Sequence, residues 1–86
     1  MKNTELRIVV LPRGWVMVGE CEEHDGKLFM SNASVVRRWG TSKGLPELAN
    51  NGPLSNTVLD GICEMQFPMS SVICQMTCDV KAWSKY

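Results

Sequence analysis

Six residues in one short stretch have the types needed to hold an anion: Arg37, Arg38, Trp39, Thr41, Ser42 and Lys43. Arginine offers a planar fork that meets phosphate two oxygens at a time, and lysine adds a point charge. Trp39 supplies a flat face for a base, and the two hydroxyls supply donors. The loop Gly40-Thr41-Ser42-Lys43-Gly44 runs into a segment with helical signals. A helix start presents unpaired N–H groups and a partial positive charge. The stretch therefore predicts a site for a nucleotide or another small phosphorylated anion. It is not a Walker A loop, because the G-x-x-x-x-G-K-[ST] spacing is absent. The plainer alternative is a capped loop with Trp39 in the core and the arginines paired to acids.

Other chemistry is weaker in the sequence. Glu20, Glu22, Glu23 and Asp25 cluster beside a hairpin signal. Glu20 and Glu22 share one strand face and have the types of a general acid–base pair. A solvated hairpin tip, or a contact for the basic segment of another copy, explains them as well. Cys74 and Cys78 stand four apart on a strand-like pattern, about 13 Å by strand rise. One zinc ion with ligands at about 2.3 Å cannot bridge that. His24 is the only histidine, and it falls in the turn, so no Cys–His dyad is marked out. No metal, no cofactor and no catalytic constellation are expected; binding rather than turnover is.

The chain has 86 residues, which suits a single domain spanning 1–86. Nine Lys and Arg balance nine Asp and Glu. Zero net charge argues against duplex DNA or an anionic membrane as partner. Single-stranded nucleic acid is also disfavoured, since three cations beside one tryptophan are a small footprint. No apolar run approaches the length of a membrane span. Four cysteines occur without an apolar leader in Met1-Lys2-Asn3-Thr4-Glu5, so reduced thiols and a cytoplasmic setting are expected.

The elements that must position these residues follow from periodicity. Leu6, Ile8 and Val10 mark a strand that Pro12 ends, with a turn at Arg13-Gly14. Trp15 to Cys21 is apolar on both faces. Such a strand is covered on both sides, by a helix, a second sheet or another subunit. Asp25-Gly26 is a type I′ hairpin signal leading into a third strand, Lys27 to Met30. Ser31-Asn32-Ala33 interrupts it, and Val35-Val36 restarts the pattern. Pro46, Glu47 and Asn51-Gly52 frame a short helix. Leu54 to Gly61 reads as irregular or a short turn of helix, and Ile62 to Phe67 as a strand. The alternation from Val72 to Lys81 predicts a long half-buried strand, with Trp83 and Tyr86 closing over the sheet edge. The expected fold is α+β, mainly β. It is a small twisted antiparallel sheet or open barrel of four to six strands with one short helix.

The order of these features resembles a family of small phage and prophage proteins known as a domain of unknown function. The likeness runs through Leu6 to Val10, Arg13-Gly14, Val18-Gly19, Gly26, Ala33, Arg37-Arg38-Trp39, Gly44-Leu45, Glu47-Leu48-Ala49, Gly52, Val72 to Cys78 and Trp83. It implies a phage-derived protein made inside an infected bacterium, and carries no activity with it. The Gly40–Gly44 loop departs from the family pattern, so no family site transfers to it. Together these readings predict an accessory protein that binds a host component, including a defence component. It is expected to form a homo-oligomer, because a domain this small buries only about 60% of its unfolded surface. The alternative is a binder that sequesters a nucleotide or similar anion.

Overall fold

The computed structural model describes residues 4–84. The order of elements is β1 (Glu5–Leu11), a 3₁₀ turn (Pro12–Gly14), β2 (Trp15–His24), β3 (Lys27–Arg38), α1 (Leu45–Asn51), β4 (Val58–Leu59), β5 (Cys63–Pro68), a second 3₁₀ turn (Met69–Ser71) and β6 (Cys74–Thr77). The six strands form one antiparallel sheet in the order β4-β3-β2-β1-β6, with β5 also paired to β3. The expected mainly-β sheet with one short helix is what the chain forms. Among the described residues, no helix is long and apolar enough to cross a membrane.

The hairpin at Asp25-Gly26 forms as its residues demand, with φ of 52° and 74°. The third strand differs from expectation. Ser31-Asn32-Ala33 does not end it; β3 runs on for 12 residues. The interruption is a bulge. Val18 pairs with Ser34 and Glu20 with Ser31, so Asn32 and Ala33 both face Gly19. Asn32 takes φ 52°, and a Cβ on Gly19 would lie 2.8 Å from the Ala33 Cα. The bulge also divides the far edge of β3. β5 pairs with the half from Lys27 to Ala33, and β4 with the half from Val36 to Arg38. β4 is a two-residue strand inside the stretch expected to be irregular.

Both faces of β2 are covered, and no second subunit is needed to cover them. On one face Ile8, Val16, Val18 and Val36 pack under Leu45, Leu48 and Ala49 of α1, with Cys78 and Trp83. On the other, Val9, Met17, Cys21, Leu28, Met30 and Ala33 meet Met65, Phe67, Met69 and Val72, because the sheet curls over itself. The link from β5 to β6 completes the curl. The Met69 amide donates to the Gly26 carbonyl, and the Ile73 amide to that of Val10, each at 2.9 Å.

The last strand is shorter than its alternation predicts. Only Cys74–Thr77 is strand. The Cys78 amide makes one more bond to the Leu6 carbonyl, and then the Asp79 amide turns to the Ala49 carbonyl at the end of α1. The backbone thus leaves the sheet to cap the helix, and Val80 lies in a turn, 72% exposed. Trp83 does not close a sheet edge. It is buried over the sheet face, and its indole N–H donates to the Leu48 and Ala49 carbonyls at 3.2 and 3.1 Å. Tyr86 lies outside the described residues.

Candidate binding surfaces

The basic stretch is held rigidly from beneath. Gly40 has φ 70°, and its Cα packs so tightly on the turn at Asn56-Thr57 that a Cβ would meet that backbone at 2.4 Å. The Thr57 hydroxyl donates to the Trp39 carbonyl at 2.7 Å and accepts from the Leu54 amide at 2.9 Å. Trp39 is 42% exposed, outside the core. Arg38 is exposed at the end of β3, opposite Val58.

Several of the six already have carboxylate partners within the chain. Arg37 holds Asp60 in an ion pair at 2.7 Å. The Thr41 hydroxyl is buried with no hydrogen-bond partner among the described residues. Glu47, in the first turn of α1, reaches back to accept the Lys43 amide at 2.8 Å and the Ser42 hydroxyl at 3.4 Å. A carboxylate of the chain itself therefore stands at the helix start, where an outside anion would have to sit. Arg38, Lys43 and Trp39 are left facing solvent. Neither of the two concavities described next includes any of the six.

The larger concavity is a groove of about 730 Å³ between the β4–β5 connection and the turn after β6. Its walls are Ile62, 66% exposed, and Val80; Leu6, Cys78 and Trp83 also line it. Glu5 and Glu20 stand at its rim. Glu20 accepts from the Thr4 hydroxyl at 3.2 Å and the Asn32 amide at 3.3 Å, both neutral donors. Glu5 is tied to Arg7 at 2.6 Å, and that hydrogen bond, with the guanidinium charge, lowers its pKa. Sequence reasoning missed this groove. Val80 was placed on a strand face by its alternation, and nothing local marked Ile62 as exposed.

The second concavity, about 510 Å³, lies on the outer face of β2, β3 and β5 and is lined by Glu22, Phe29, Ser31, Glu64 and Gln66, among others. Phe29 pairs across the sheet with Glu22 on one side and Gln66 on the other. Glu20 and Glu22 do share this face, as their spacing predicts.

The thiols divide into two kinds. Cys21 and Cys78 are buried, and burial pushes them up to about 11 and about 12 respectively. Cys63 and Cys74 are exposed, so Cys74 is not the core residue that its strand pattern suggests. His24 stands on the hairpin turn, 3.5 Å from Asp25 and tilted against Phe29. Among the described residues, no three His, Cys, Asp or Glu side chains come together as a metal-ligand group. No family model matches this sequence and no curated protein matches it, so geometry carries the functional reading.

Proposed function

We propose that this chain is a non-catalytic accessory protein that holds a segment of a partner protein in the Ile62–Val80 groove. The observation that carries this reading is the groove itself. Two exposed aliphatic side chains, Ile62 and Val80, line one open groove with Trp83, where a folded domain normally keeps such groups inside. The uncompensated Glu20 carboxylate at the rim favours a segment with a Lys or Arg next to its apolar residues. Binding rather than turnover suits the thiols as well. Cys78, which lines the groove, is held protonated far above neutral pH, so it is a poor nucleophile there. The phage-like order of the sequence fits a partner belonging to the host cell.

Peptide display on the folded protein tests this, followed by titration of the enriched peptides against Ile62→Asp and Val80→Asp. The expected result is enrichment of apolar residues beside Lys or Arg, with at least tenfold weaker binding to both variants. Enriched peptides that bind the variants as tightly as the parent would overturn the reading. So would a selection that enriches nothing.

A second reading concerns the other end of the molecule. Arg38 and Lys43 form no ion pair among the described residues, and Trp39 presents part of its ring to solvent. These three suit a planar anion such as a nucleotide. Calorimetry with a nucleotide panel, repeated on Arg38→Ala, decides it: heat abolished by the substitution supports it, and no heat removes it.

A further inference from the structure

The two ends of the long strand β3 sit among different charges supplied by its neighbours. Toward the hairpin, Glu22 on β2 lies opposite Phe29, and Glu64 on β5 lines the same concavity. At the other end stand Arg38, Lys43 and the half-exposed Trp39. None of these four charged residues takes part in an ion pair among the described residues. Phe29 and Arg38 are nine residues apart along one strand, about 30 Å at full strand rise. The molecule is only 36 Å in its longest dimension. The Debye length in physiological salt is about 8 Å, so the two ends cannot satisfy each other within one copy.

They can do so between copies. We infer that the chain associates head to tail, the Arg38–Trp39 end of one copy seated against the Glu22–Phe29–Glu64 face of the next. The chemistry matches group by group. Arg38 and Lys43 supply one cation for each carboxylate, and an indole packs on a phenyl ring. Lys27, toward the hairpin end of the same strand, bounds the acidic face. Such a contact is heterologous. Each copy offers both halves, so assembly does not stop at two by symmetry but closes as a ring or extends as a chain. Zero net charge leaves no long-range repulsion to prevent it. The groove of the proposed function shares no lining residue with this contact, and Val80, on its far wall, separates the two in a test.

Sedimentation velocity over a concentration series, at about 20 mM and about 500 mM salt, gives the first readout. Species larger than a dimer are expected at low salt and monomer at high salt. The decisive arm is charge exchange. Arg38→Glu alone and Glu22→Arg alone should each be monomeric, because each sets like charges against each other. Mixing the two in equal amounts should restore assembly: one junction is then native and the other is the swapped pair. Circular dichroism shows whether both variants are folded. Val80→Asp should assemble like the parent. A wild-type monomer at every concentration would overturn the inference. So would a dimer indifferent to both single variants, or a mixture that stays monomeric although its components are folded.

Discussion

Removing Trp83 tests how this small domain holds α1. α1 has seven residues, below the roughly 12–15 at which an isolated helix becomes even marginal in water. It persists because Leu45, Leu48 and Ala49 dock on the sheet and because its last carbonyls find donors. Three of those donors are now identified: the Gly52 amide to Leu48, the Asp79 amide to Ala49, and the Trp83 indole to both. Trp83 is 3% exposed. Truncating so buried a ring to alanine costs about 3–5 kcal/mol, transfer and cavity together. A domain of this length has about 4–13 kcal/mol in all. Trp83→Phe keeps most of the ring and loses the N–H, about 0.5–1.5 kcal/mol from the hydrogen bond. Trp83→Phe should therefore lose about 1–2 kcal/mol and Trp83→Ala at least twice that, read by urea unfolding at unchanged slope. Hydrogen exchange adds a local readout. The Gly52 and Asp79 amides should lose protection in Trp83→Ala before the β1–β2 amides do. The reasoning fails if alanine costs less than about 2 kcal/mol, or if phenylalanine is as costly as alanine.

Two further outcomes follow from burial and backbone geometry. A thiol reagent near pH 8 should modify Cys63 and Cys74 in the native protein and leave Cys21 and Cys78 until it unfolds. The buried pair also fixes the sign of the alkaline response. Their folded pKa values of about 11 and 12 exceed the ordinary value of 9.0, so their contribution is complete below pH 9 and is lost as pH rises toward 11–12. Between pH 9 and pH 11 stability should therefore fall as pH rises, measurable by chemical denaturation; flat stability across that window would contradict it. Gly52→Ala meets both a positive φ of 79° and an Ala82 carbonyl oxygen 2.2 Å from the new Cβ. It should cost at least about 2 kcal/mol and lower the melting temperature by roughly 10 °C, whereas an unchanged melting temperature would show that the helix-to-tail contact is slack.

What was legible in the sequence was local. Pro12, Asp25-Gly26 and Asn51-Gly52 each constrain their own dihedrals, so the first strand end, the hairpin and the helix end all sit where the residues say. What misled was alternation without its partner strand. The period-two pattern from Val72 to Lys81 is real, but strand continues only while a neighbouring edge supplies hydrogen bonds, and α1 competes for the Asp79 amide. Ser31-Asn32-Ala33 erred the other way. Polar residues suggested a break, yet Gly19 on the opposite strand has no side chain and admits a two-residue bulge. Neither the helix cap nor the bulge can be read from one segment alone.

The same limit governs the basic stretch. Its residue types promise an anion site, and types are all that a sequence states. Whether cations converge depends on which acids come near, and Asp60 and Glu47 reach their places only through the pairing of β4 and the folding of α1. Once those two carboxylates have taken Arg37 and the helix start, what remains is exposed charge beside an exposed ring, spread along an edge rather than around a point. A small anion gains most when donors surround it. An edge of that kind is better matched by another extended surface. The Glu22–Phe29–Glu64 face, built by β2, β3 and β5 around the far half of β3, presents the complementary groups.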